Sequence, residues 1–82
     1  MKKITIIGTG YVGLVSGAGI SDFGHQVICA DIVEEKVNLL KNGEIPIYEP
    51  GLSDLVERNV IAGRLSFTTD VDQAIQSADV IF

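Results

Sequence analysis

Residues 4–13 read Ile4-Thr5-Ile6-Ile7-Gly8-Thr9-Gly10-Tyr11-Val12-Gly13, a β-branched run that breaks into G-x-G-x-x-G. Ile4, Ile6 and Ile7 favour extended backbone, because branching at Cβ suits a pleated surface. Apolar residues fall on both faces of Lys3–Ile7, which predicts a strand inside a parallel sheet rather than at its edge. The next segment predicts a helix over Tyr11–Phe23, stopped by Gly24 in the left-handed position. The glycine motif therefore joins a strand to a helix, the context in which it acquires chemical meaning. Gly8 permits the tight turn, Gly10 lets a pyrophosphate approach the backbone, and Gly13 allows close helix–strand packing. Gly13 and Gly17 lie four apart, so one helix face lacks side chains and can press on the strand beneath. The N–H groups at the helix start offer partial positive charge to phosphates, without any basic side chain.

Beyond the helix, Gln26–Ala30 (QVICA) reads as a second strand ending at Asp31, eighteen residues after Gly13. An acid at this place accepts hydrogen bonds from the hydroxyls of an adenine ribose. Its charge repels a 2′-phosphate, and Ile32 and Val33 follow where an arginine would be needed, so NAD is expected over NADP. The alternative is a glycine-rich turn with Asp31 as an ordinary helix N-cap, and the two roles are compatible in one residue. Lys36, near the start of the second helix, either reaches the ribose or an adenine-side phosphate or is a solvated surface lysine. Tyr11 either shields the cofactor side of the turn or packs as any tyrosine does.

Further out, strands and helices keep alternating. A helix is predicted over Val33–Lys41, with Val33, Val37 and Leu40 inward and Asn42-Gly43 as its stop. Another is predicted from Pro50 to about Ala62, because a proline at a helix start loses no hydrogen bond. Its stripe is Leu52, Leu55, Val56 and Asn59. Arg64–Thr69 predicts a less apolar strand near a sheet edge. Asp70, with Gln73 three later, caps a short helix whose apolar face is Val71, Ala74, Ile75 and Ala78. Ala78–Phe82 predicts a fourth strand. The order β-α-β-α-α-β-α-β predicts an α/β, Rossmann-like parallel sheet with strand order 3-2-1-4 and right-handed crossovers. Residues 1–82 are expected to be the N-terminal part of an NAD-binding Rossmann domain, cut after about four strands, with no second domain.

Composition narrows the function. Of 82 residues, 46% are apolar and 21% charged, which excludes intrinsic disorder. The net charge of −5, with no cluster of bases beyond Lys2-Lys3, speaks against nucleic acid. One cysteine excludes a disulfide framework and a cysteine-based zinc site, and fits a reducing, cytoplasmic compartment. Cys29 lies in a strand expected to be buried and reads as a small hydrophobe rather than a nucleophile. His25 follows Gly24 and is expected in a surface loop. The uncharged run from Ile4 to Ser21 after two lysines could suggest a signal peptide or membrane span. Its glycines would make a poor helix, so neither is expected.

Three groups of residues resemble the UDP-glucose/GDP-mannose dehydrogenase family. They are Ile6-Ile7-Gly8-Thr9-Gly10-Tyr11-Val12-Gly13-Leu14, Ala30-Asp31-Ile32 with Lys36-Val37, and the more distinctive Pro46-Ile47-Tyr48-Glu49-Pro50-Gly51-Leu52. Gly63-Arg64-Leu65, Thr68-Thr69-Asp70 and Ala78-Asp79-Val80-Ile81 continue the likeness, which spans essentially the whole chain and looks closest to the branch acting on UDP-glucose. The resemblance implies oxidation of the C6 alcohol of a nucleotide sugar to a carboxylate, with two NAD per turnover. It implies NAD binding through Gly8, Thr9, Gly10, Tyr11, Val12, Gly13, Asp31 and Lys36. The family's catalytic cysteine and its lysine and aspartate partners match no position here; Cys29 is not that cysteine. The fragment alone is thus expected to be inactive, its sugar-nucleotide site and homo-oligomer contacts lying elsewhere. Rival readings are a dehydrogenase of the same fold acting on a hydroxyacid, a nucleotide-sensing module, and a flavin-binding domain; residues 46–52 argue against the first two.

Overall fold

The computed structural model describes residues 2–46 and 48–82; Met1 and Ile47 lie outside the described residues, so the 46–52 signature is described without Ile47. The elements run β1 (Lys3–Ile7), α1 (Tyr11–Asp22), β2 (Gln26–Ala30), α2 (Glu34–Lys41), α3 (Leu52–Ile61), β3 (Leu65–Thr68), α4 (Val71–Gln76) and β4 (Val80–Ile81). The strands form one parallel sheet in the order β3-β2-β1-β4. This is the expected Rossmann-like architecture, with β1 internal and β3 at an edge.

Alternation along the strands fixes the two faces. Ile4 and Ile6 of β1, Val27 and Cys29 of β2, and Leu65 and Phe67 of β3 are buried in register with one another. They form the core with Leu14 and Ala18 of α1, Val37 and Leu40 of α2, and Leu52 and Val56 of α3. On the opposite face Thr5 is buried, and its hydroxyl donates to the Ala74 carbonyl of α4 at 2.6 Å. That bond satisfies a polar group which burial would otherwise penalise. Among the described residues, no buried side-chain nitrogen or oxygen lacks a partner.

The glycine face of α1 does what its spacing predicts. A Cβ on Gly13 would stand 2.6 Å from the Gly8 carbonyl oxygen, and one on Gly17 2.8 Å from the Cys29 sulfur. Both glycines let α1 settle on β1 and β2 closer than any side chain permits. At the far end Gly24 has φ of 104° and follows the last turn, as expected.

The strands β3 and β4 and the helix α1 are shorter than expected by one to three residues, and α3, α2 and α4 each depart from expectation for a local reason. α3 begins at Leu52 rather than Pro50, because Glu49-Pro50-Gly51-Leu52 is a turn. Gly51 has φ 82° and ψ −11°, and the Leu52 amide donates to the Glu49 carbonyl at 3.1 Å. Those are the marks of a type II turn, with proline second and glycine third. Val33 is not an inward residue of α2 but its extended N-cap, 41% exposed. In α4 only Ala74 of the expected apolar face is buried, and Ile75 is exposed. Asp70 does cap α4, accepting from the Gln73 amide at 3.1 Å.

Candidate dinucleotide-binding site

The C-terminal end of β1 turns into α1 at Gly8, whose φ of 101° is strained for any other L-residue. The Gly8 amide donates to the Ala30 carbonyl at the end of β2, 2.7 Å away, so the loop is tied to the neighbouring strand. Gly10 is the N-cap of α1 and provides no side-chain cap to the first turn. It is exposed, and a Cβ built on it meets nothing within 4 Å. The helix thus presents its first amides at an open mouth, where a phosphate can meet them directly.

Asp31 stands beside that mouth. Its Oδ2 accepts from the Thr9 amide at 3.0 Å and from the Thr9 hydroxyl at 2.8 Å. Its Oδ1 accepts from the Val33 amide at 2.9 Å, closing the turn that leads into α2. Its own amide donates to the Thr68 carbonyl of β3 at 3.0 Å. The Val33 amide foremost, then the Thr9 hydroxyl and amide and the Lys36 charge, hold its carboxyl below the usual aspartate range, against partial burial. Asp31 is therefore anionic at neutral pH and faces the glycine loop. Asp31 is not the cap of α2, which is Val33 without a side-chain cap bond: Asp31 shapes the entry to that helix through the Val33 amide, two residues on, while its other oxygen belongs to the loop.

The remaining expected residues divide between two sides of α1. Tyr11 and Lys36 line one cleft of about 240 Å³ with Thr9, Gly10, Leu39, Leu40 and Pro46. Lys36 is exposed there. Val12, 74% exposed, lies on the other side with Gly13, Ile6, Ile7, Ser16, Ile20 and Phe82. The Tyr11 hydroxyl donates to Glu49 Oε2 at 3.1 Å, and that bond with the adjoining negative charge raises the tyrosine pKa. The contact binds the glycine loop to the segment after α2. Sequence reading misses it, because the partners lie 38 residues apart; the distinctive Tyr48-Glu49-Pro50 run was the available signal. Thr9 is a larger surprise. It is 3% exposed, with its side chain turned onto Asp31 rather than toward the open mouth.

Cys29 and His25 make structural contacts away from the glycine loop. Cys29 is fully buried, and burial pushes its thiol up to about 12, so it stays protonated. His25 Nδ1 accepts from the Lys2 amide at 3.1 Å. Among the described residues there is no group of three or more His, Cys, Asp and Glu able to hold a metal ion, and no helix is long and apolar enough to cross a membrane.

A parallel sheet, a glycine turn into an uncapped helix and an acid fixed at the end of the next strand together define a dinucleotide-binding domain of the Rossmann class. Residues 2–82 match the UDP-glucose/GDP-mannose dehydrogenase family, NAD binding domain, and the chain belongs to that family. It is 60% identical over its whole length to the UDP-glucose 6-dehydrogenase TuaD of Bacillus subtilis, of which it covers 18%. The solved UDP-glucose dehydrogenase of Pyrobaculum islandicum superposes with a TM-score of 0.94 at 36% identity, over all of this chain and 19% of that one. The GDP-mannose dehydrogenase of Pseudomonas aeruginosa gives 0.90 at 44% identity, over 96% of this chain and 18% of that one. The chain thus spans less than a fifth of the length of these relatives. Membership of this family, whose matched domain binds NAD, takes the place of the rival flavin, sensing and hydroxyacid readings.

Proposed function

We propose that these residues form the adenosine and pyrophosphate half of the NAD site of a dehydrogenase that oxidises the C6 alcohol of UDP-glucose to the carboxylate. The amides at the mouth of α1 receive the pyrophosphate. Gly8 and Gly10 keep that approach free of side chains, and Gly13 seats the helix. Asp31 accepts from the adenine ribose, and Lys36, exposed on the adjoining cleft, adds positive charge on the same side. Tyr11 and Val12 form the walls on either side of the loop. Bound NAD supplies the hydride acceptor; this chain supplies position and charge for its adenosine end. UDP-glucose is preferred to GDP-mannose because the identity is 60% to a UDP-glucose enzyme, against 42% to the GDP-mannose 6-dehydrogenase of Pseudomonas syringae. A cytoplasmic setting suits the single buried thiol, and a homo-oligomeric whole protein belongs to the same reading.

One observation carries the proposal: an anionic carboxylate held rigidly beside an unobstructed helix mouth. Titration with NAD, NADP, FAD and ATP tests it. NAD should bind at least about 10-fold more tightly than NADP, because a 2′-phosphate meets the Asp31 charge. Preference for FAD or ATP over NAD would overturn it. In the polypeptide that carries these residues, NADH formation with UDP-glucose and not with GDP-mannose tests the substrate.

A further inference from the structure

A carboxylate has about four acceptor positions, two on each oxygen. In Asp31 three of them are taken. Oδ2 accepts both the amide and the hydroxyl of Thr9, and Oδ1 accepts the Val33 amide. Thr9 is almost completely buried, so its hydroxyl is shielded from water and directed to this bond. The amides of Thr9 and Val33 belong to the backbone of the glycine loop and of the α2 entry, and neither can turn away without unfolding its turn.

We propose that Thr9 is a specificity-determining positioning residue: by saturating Oδ2 it leaves Asp31 one open acceptor, on Oδ1, so that the carboxylate takes one hydroxyl of the adenine ribose rather than both. This rests on the NAD reading above and sharpens it. Without the Thr9 hydroxyl, one position on Oδ2 becomes free and the carboxylate loses its strongest side-chain anchor. Each oxygen then has one open position, and the choice between the two hydroxyls is lost. The bonds to the Thr9 and Val33 amides remain and hold the carboxylate in place, so the change falls on the number of open acceptors and not on the presence of the acid.

Calorimetric titration with NAD and with its 2′-deoxy and 3′-deoxy analogues, altered only in the adenosine ribose, tests this directly. In the unmodified protein one deoxy analogue should lose about 10-fold in affinity, the size of a hydrogen bond to a charged group, and the other less than about 3-fold. Thr9→Val, which keeps the shape and removes the hydroxyl, should bring the two penalties to within about 2-fold of each other. Thr9→Ser, which restores the hydroxyl, should restore the asymmetry. A merely structural threonine would lower affinity for all three ligands alike and leave the ratio unmoved. Equal penalties in the unmodified protein, or an asymmetry that survives Thr9→Val, overturn the assignment while leaving NAD binding in place. Absence of NAD binding by the unmodified protein overturns both this assignment and the reading on which it rests.

Discussion

Gly10 and Gly13 lack a side chain for opposite reasons, and substitution separates them. A methyl group at Gly10 projects into open space, while one at Gly13 collides with the Gly8 backbone at 2.6 Å. Gly10→Ala should therefore leave the melting temperature almost unchanged yet, on the proposed reading of the site, weaken NAD binding by about 10-fold or more, because the added carbon would stand where the pyrophosphate is proposed to approach. Gly13→Ala should lower both, with a stability loss of about 1–3 kcal/mol from forced separation of helix and loop. Thermal melts and NAD titrations on the two variants check this; equal loss of stability in both would contradict the geometry. The motif was legible at this level because each glycine has a separate steric task. The bond from Thr9 to Asp31 was not, since the motif leaves its second position unspecified and the partner carboxylate is 22 residues away.

Between elements, the α1–β2 contact passes through Gly17 and Cys29. A Cβ on Gly17 would lie 2.8 Å from the cysteine sulfur, but no closer than 3.4 Å to the next atom, Ile6 Cδ1. Gly17→Ala should cost about 1–3 kcal/mol in the natural background and distinctly less when Cys29→Ala removes the sulfur. Chemical denaturation of the two single variants and the double variant measures that coupling; strict additivity would mean that the helix shifts instead. The α1–α3 contact adds a polar network to its apolar core. Asn59 is fully buried, donates to Asp22 and to the Leu55 carbonyl, and accepts from Arg64. The Arg58–Asp22 pair at its rim is exposed. Asn59→Ala should cost about 2 kcal/mol, because its partners are left without their bonds. Arg58→Ala should cost distinctly less than Asn59→Ala, because the ion pair is exposed to solvent. Sequence periodicity placed Asn59 on the buried stripe but gave no hint of the network, which draws on residues from α1 and from the entry to β3. It placed all eight elements, because hydrophobic period and glycine stops act locally. It misread Pro50, since the same proline suits a helix start and the second position of a turn, and only the φ of the following glycine separates them.

The molecule as a whole carries a net charge of −5, yet the two aspartates with lowered pKa values serve two different parts of it. Asp31 joins the glycine loop to the α2 entry. Asp22 joins α1 to α3, its carboxyl lowered first by Arg58 and then by Asn59. A carboxylate with a folded pKa below its unfolded value binds fewer protons in the folded state. Its contribution to stability is then fully present above the unfolded value of about 4, and is lost as pH falls through the folded value. The melting temperature should accordingly be insensitive to these two groups from pH 5 to 8, and their support should vanish progressively below about pH 4. Asp31→Asn and Asp22→Asn should each flatten part of that acid limb, and because the two sites share no partner their effects should add. The NAD site offers a second readout of the same titration. Asp31 remains an acceptor until it is protonated, so NAD affinity should stay level down to about pH 5 and fall only in the acid range where the loop loosens. A fall in affinity already between pH 7 and 5 would show that a group other than Asp31 governs the adenosine end.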